Sequence, residues 1–132
     1  MNGMDPIVNF YFENDFQLDQ RDIYSSWVKE VVKSEGRMVG ELSYIFCNDE
    51  YLLELNQKFL NHDTLTDIIS FDNSVGNMLS GDIFISTERV KENSELFSVP
   101  FDVELKRVMA HGVLHFCGYK DGTDDEVREM RR

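Results

Sequence analysis

Long apolar runs are missing from this sequence. No stretch approaches the roughly 20 consecutive apolar residues that cross a bilayer, and residues 1–6 lack the basic start and apolar segment of a secretory signal. We therefore expect a protein that stays in the cytosol. Cysteine is scarce as well, since Cys47 and Cys117 are its only examples, and both are interpreted as buried thiols.

Basic residues are outnumbered, with 13 Lys and Arg against 25 Asp and Glu, which gives a formal net charge of −12. Wide non-specific binding to nucleic acid depends on basic side chains that displace counterions from phosphates, so this charge argues against it. A metal ion with an open position, or a local cluster of the few basic residues, could still recruit a phosphate.

No repeat, low-complexity tract or linker interrupts the chain, and the two prolines, Pro6 and Pro100, stand near the expected starts of elements. The 132 residues, of which 42% are hydrophobic, suit a single domain spanning residues 1–132. Periodicity predicts an α+β fold, with about four strands in a mixed sheet and helices packed on it. The predicted strands are residues 7–12, 41–47, 67–71 and 82–86.

The helices are predicted from their caps and apolar spacing. They cover a segment from a cap at Asp19 to Gly36, a segment that begins at Asn48 or Asp49, residues 87–97, residues 101–119, and a last helix that opens at Thr123. The first is expected to bury Ile23, Trp27 and Val31, the second Leu52, Leu55 and Phe59, and the fourth Phe101, Leu105, Val108 and Met109. On the second strand, Leu42, Tyr44 and Phe46 should share one face.

Two of the three histidines, His111 and His115, lie four residues apart on the predicted helix 101–119. Four residues make about one turn, so both imidazoles leave the same face and can bind one metal ion. Gly118 offers a helix stop, after which the Asp121 carboxylate can turn back as a third ligand and leave a fourth position for water. This is the layout of a catalytic metal site in the C-terminal half of the chain.

Histidines at this spacing also occur by chance, often on the surface or bonded to a carbonyl in the core. The neighbours favour the metal. Gly112 removes a side chain beside the expected ion, and the surrounding apolar residues would bury unpaired imidazoles at a cost of a few kcal/mol.

The segment His111-Gly112-Val113-Leu114-His115-Phe116-Cys117-Gly118-Tyr119-Lys120-Asp121 resembles the His-Gly-x-Leu-His-Leu-x-Gly-Tyr-Asp-His signature of the YbeY family of bacterial rRNA maturation endoribonucleases. Three further blocks are similar to that family in the same order. They are Leu55-Asn56 with Phe59 and Asp63, then Thr66-Asp67-Ile68-Ile69-Ser70-Phe71, then Gly81-Asp82-Ile83. The resemblance covers most of the chain from about Leu42 onward.

The resemblance implies an α+β metal-dependent hydrolase that cleaves single-stranded RNA with one zinc ion, for which nickel or cobalt could substitute. It further implies a role in 16S rRNA maturation and ribosome quality control, with rRNA and the small ribosomal subunit as partners. Two positions depart from the family pattern. Lys120-Asp121 replaces Asp-His, so that the third ligand would be a carboxylate, and Leu60 stands where an arginine thought to help with the phosphate is common. Lys120 is a candidate substitute for that arginine, or an ordinary solvated turn residue.

The general base is not assigned by the motif, because Gly112 occupies the position of the glutamate in the zinc-peptidase pattern His-Glu-x-x-His. Asp67 and Asp82 are weak candidates, since acids at strand starts more often support turns. His62 could meet substrate or be an exposed loop residue. Two alternatives remain open, a zinc peptidase or amidase and a metal-stabilised ribosome-binding factor with little catalysis of its own.

Overall fold

The computed structural model describes residues 6–60 and 66–118. These residues form a mixed sheet of four strands in the order β1-β2-β4-β3, in which β1, β2 and β4 are parallel and β3 runs antiparallel to β4. The predicted α+β class and strand number are confirmed. The elements are β1 (Ile7–Phe12), α1 (Arg21–Ser34), β2 (Met38–Cys47), α2 (Asp49–Leu60), β3 (Ile68–Asp72), β4 (Met78–Ser86), α3 (Thr87–Leu96) and α4 (Phe101–Phe116).

The main core lies on one face of the sheet, where α1 and α4 pack. Alternate residues of β2, which are Leu42, Tyr44 and Phe46, are fully buried there, as their alternation predicted. The opposite face carries α2, whose Leu52 packs with Cys47 and Ile69 in a smaller cluster. The sheet therefore separates the helix that bears the histidines from α2.

The buried face of α1 differs from the predicted one by a single position. Tyr24, Val28 and Val32 are buried, whereas Ile23 is 50% exposed and Trp27 is 39% exposed. Both rows repeat every four residues, so the spacing alone does not distinguish one from its neighbour. The predicted cap at Asp19 is also wrong, because Gln20, in a left-handed conformation, occupies the N-cap position of α1.

Other boundaries shift by a few residues. β2 begins at Met38 and β4 at Met78, which is earlier than predicted, because each pairs with the other from its first residue. On α2, Leu52 is buried as predicted, but Phe59 is 57% exposed and lies edge-on to Phe71. The helix α4 ends at Phe116, and Tyr119 and the capping box at Thr123 lie outside the described residues.

None of the helices within residues 6–60 and 66–118 combines the length and apolar character that crossing a membrane demands.

Candidate metal centre

The helix α4 is fixed on the sheet by apolar packing and by hydrogen bonds from two neighbouring elements. It buries one stripe against the sheet, which consists of Leu105, Val108, Met109, Val113 and Phe116. The Tyr44 hydroxyl of β2 donates a 2.9 Å hydrogen bond to the Met109 carbonyl, and the Trp27 indole of α1 donates to the Lys106 carbonyl. Burial raises the pKa of Tyr44, so this hydroxyl remains a donor. The position of α4 is thus set from two sides, close to His111.

Gly112 lets α4 approach the sheet closely. A Cβ atom at this position would lie 2.9 Å from Ile83 Cγ2 and 3.1 Å from Ile68 Cδ1. Gly112 therefore faces β3 and β4, and its missing side chain makes room for the sheet rather than, as the sequence suggested, for an ion. The consequence for the site is indirect, since close packing holds the adjacent His111 at a fixed depth.

Both histidines lie on α4, one turn apart, and their environments differ. His111 is half-buried, and both of its ring nitrogens are withdrawn from solvent, while the His115 side chain is exposed. Imidazoles at this spacing leave the helix on the same side. One side of the pair is therefore closed by protein and the other is open to solvent.

The donors available on α4 suit a divalent metal ion. Zinc takes neutral imidazole nitrogens and carboxylate oxygens, commonly three protein ligands in a catalytic site. Within the parts of the chain that the structure describes, no group of three His, Cys, Asp or Glu side chains converges as a metal site. The predicted third ligand, Asp121, lies outside those residues, as do Lys120 and His62. The two imidazoles fit the metal, and the third ligand stays a prediction.

A cluster of charged side chains precedes His111 on the same helix. Arg107, one turn before His111, donates from Nε and Nη2 to the Glu104 carboxylate at 2.7–3.1 Å, and from Nη2 to Asp67 Oδ2 at 3.4 Å. The Glu104 and Arg107 side chains are only 3% and 12% exposed. This cluster is not among the predicted features, although an acid and an arginine three residues apart in an apolar helix can indicate an internal ion pair.

We expect Arg107→Ala to destabilise the protein by about 2 kcal/mol, because the buried Glu104 carboxylate would lose its charged partner. Urea unfolding measures the change. Lys91→Ala serves as the control, since Lys91 is exposed and its loss should cost less than about 0.5 kcal/mol. Equal stability of the two variants would show that Glu104 does not depend on Arg107.

The two aspartates predicted as candidate bases lie on different sides of the sheet. Asp67 is joined to α4 through Arg107, and its carbonyl accepts a hydrogen bond from the Ser86 amide. Asp82 alternates with Ile83 on β4 and shares a face with Phe84, which packs in the α2 cluster. The structure therefore brings Asp67, but not Asp82, to the histidine side of the sheet.

The two cysteines take no part in the histidine pair. Cys47 is buried, as predicted, and burial raises the pKa of its thiol to about 12. Cys117, just after α4, is half-buried, so its predicted burial is only partial. Burial raises the pKa of the Cys117 thiol, and the nearby Arg37 charge acts in the opposite direction.

Comparison with known proteins gives one consistent family. The family described as Endoribonuclease YbeY matches residues 10–132. A protein of that name from Christiangramia forsetii is 55% identical over 125 residues, which cover 95% of this chain and 87% of the relative. The counterpart from Flavobacterium psychrophilum is 56% identical over 125 residues, with coverages of 95% and 89%. The solution structure of TM1509 from Thermotoga maritima is similar, with a TM-score of 0.61, 26% identity, and coverage of 94% of this chain and 83% of that one.

Proposed function

Since this chain belongs to the endoribonuclease YbeY family, we propose that it is a zinc-dependent hydrolase that cleaves single-stranded RNA, with His111, His115 and Asp121 as the metal ligands. The family resemblance predicted from the histidine motif is confirmed by these matches. The observation that supports the proposal most directly is the position of both imidazoles on one side of α4, one buried at its nitrogens and one exposed.

This difference in exposure suits the two tasks of a catalytic metal site. His111 binds from the protein side, where the close contact of Gly112 with β3 and β4 limits movement of the helix. His115 binds from the solvent side, where a long polymer can approach without entering a cavity. When bound, the ion supplies Lewis acidity, which makes water more nucleophilic and stabilises negative charge that develops on a phosphodiester.

Hydrolysis also requires a proton acceptor. Of the two aspartates considered, Asp67 is the better candidate, because it lies on the histidine side of the sheet and is oriented by Arg107. Asp82 is the weaker one, since the sheet separates it from α4. Lys120 remains a candidate for contact with the phosphate, in place of the arginine that Leu60 replaces.

The proposed biological substrate is rRNA, in 16S maturation and ribosome quality control, with the small ribosomal subunit as partner. The family name and the charge support an RNA substrate that is recognised at a few positions, since a net charge of −12 disfavours broad binding to duplexes. Because rRNA matures in the cytosol, the proposal expects a cytosolic enzyme.

The direct test of the metal is its stoichiometry in protein purified without chelator. We expect close to one zinc, nickel or cobalt per chain, and strong loss of the ion in Asp121→Ala because a third of the ligand set is removed. Asp124→Ala is the matched control and should retain the metal. Folded wild-type protein with almost no metal would contradict the proposal, and loss of metal only in Asp124→Ala would transfer the third ligand to that residue.

Cleavage separates this proposal from its alternatives. Metal-loaded protein should cleave single-stranded RNA and leave a duplex of the same sequence intact. Cleavage should stop when a chelator is added. Cleavage of a peptide instead would favour a zinc peptidase, and metal binding without any hydrolysis would favour a ribosome-binding factor.

A further inference from the structure

The basic side chains of this acidic protein are distributed unevenly. Within residues 6–60 and 66–118, Arg89 and Arg107 form ion pairs with carboxylates, and Arg21, Lys58 and Lys106 lie over aromatic rings. In the same residues, the basic side chains with neither kind of partner are Lys29, Lys33, Arg37 and Lys91. In this part of the chain, the positive charge that remains available is therefore carried by four positions.

Three of these four cations line one groove. Lys29 and Lys33 lie one turn apart on α1, and Arg37 follows the end of that helix. They surround a groove of about 340 Å³, whose floor is apolar and whose lining also includes Glu30. Like charges at this spacing cost a helix a few tenths of a kcal/mol, and no carboxylate within the described residues pairs with them to offset that cost. Such an arrangement suits an anion that is supplied from outside.

The groove lies at the same end of the sheet as the C-terminus of α4. Met38, which lines it, pairs with Met78 at the start of β4, and Gly81, three residues further, lies under the Phe116 ring. Phe116 directly follows His115. The groove also includes Pro6, which precedes the edge strand β1, whereas α4 lies over β4 and β3, so an RNA strand must cross this end of the sheet to contact both the groove and the histidine pair.

We propose that the groove lined by Lys29, Lys33 and Arg37 binds the phosphodiester backbone of the RNA substrate, away from the bond that is cleaved. Contacts of this kind position a strand without reading its sequence. They also explain how a chain of charge −12 holds a polyanion, since three cations against the single carboxylate of Glu30 leave the lining of the groove with a local positive potential. The proposal depends on RNA being the substrate of the histidine site.

The test compares Lys33→Glu with Lys91→Glu, because both lysines are exposed, helical and unpaired within the described residues, and both changes alter the charge equally. Affinity for a fluorescently labelled single-stranded RNA is measured by anisotropy, in a His115→Ala background that prevents cleavage. We expect Lys33→Glu to weaken binding roughly tenfold at about 50 mM salt, and each lost contact to reduce the salt slope by about 0.7. Lys91→Glu should bind as the parent does.

A second measurement uses the active enzyme, which keeps His115. The KM for a long RNA should rise in Lys33→Glu with kcat unchanged, while cleavage of an oligonucleotide too short to reach the groove should be unaffected. Arg37→Gln provides an independent variant with a smaller change of charge, and far-UV circular dichroism verifies folding of all variants.

If Lys33→Glu binds RNA as tightly as the parent, the groove is not an RNA-binding site. If Lys91→Glu weakens RNA binding as much as Lys33→Glu does, the effect comes from the change in net charge, and the proposal is wrong. Failure of the proposed function is a different result. In that case the RNA is not cleaved at all by metal-loaded protein with intact histidines, whatever the affinities are.

Discussion

Replacing His115 by alanine is expected to reduce RNA cleavage at least about a hundredfold and to remove most of the bound metal, because one of the two imidazoles on α4 is lost. The fold should persist. His115 is exposed and its side chain belongs to none of the apolar clusters of the described residues, so the free energy of unfolding should change by less than about 0.5 kcal/mol. Cleavage of single-stranded RNA, zinc content and urea unfolding, measured on the same preparation, separate these effects.

The matched control is His62→Ala, the same substitution at the third histidine of the chain. It should retain the metal, since His62 lies outside the helix that carries the pair. Zinc content that stays at one per chain in His115→Ala would show that the ion is bound elsewhere. Cleavage that persists after the metal is lost would show that the ion is not required for catalysis.

The histidine pair could be predicted from the sequence because its signal is local. Two residues four apart in a helix share a face whatever the rest of the chain does, and both do lie on α4. The strands were predictable for a similar reason, since alternation in β2 requires Leu42, Tyr44 and Phe46 to share one side. Local periodicity is therefore enough to predict the fold class and the position of the two histidines on one side of a helix.

Features that depend on contacts between distant segments were not predictable in this way. Asp67 and Asp82 look alike in sequence, each near a strand start. Asp67 precedes β3 and meets Arg107 of α4, whereas β4 presents Asp82 to the face that carries α2. Arg107 and Asp67 are 40 residues apart and meet only when β3 lies beside α4. The predicted face of α1 is wrong because two rows of apolar residues have the same spacing, and packing in the core with the sheet decides which row is buried.

Gly81 opens the Gly-Asp-Ile block, and its surroundings in the structure give the physical reason for a glycine at this position. A Cβ atom on Gly81 would lie 2.3 Å from the backbone oxygen of Phe71 and 2.9 Å from the Phe116 ring, and its φ of +153° is one that other residues rarely adopt. We expect Gly81→Ala to destabilise the protein by about 3–5 kcal/mol, because strain adds to a backbone clash that no side-chain rotation relieves. Relief would require β3 and β4 to separate or Phe116 to move, and Phe116 adjoins His115.

Gly76→Ala is the control that has backbone strain without a clash, so comparison with it separates the two contributions. Gly76 also has a positive φ, of +57°, but a Cβ atom added there would have no neighbouring atom within 4 Å, so this variant should lose only about 1–2 kcal/mol. Urea unfolding of both variants gives the difference, and metal retention in the folded fraction reports whether the end of α4 has moved. Similar losses of stability in the two variants would mean that β4 shifts to accommodate the extra methyl group. The tight contact between β4 and Phe116 would then not be needed to hold His115 in place.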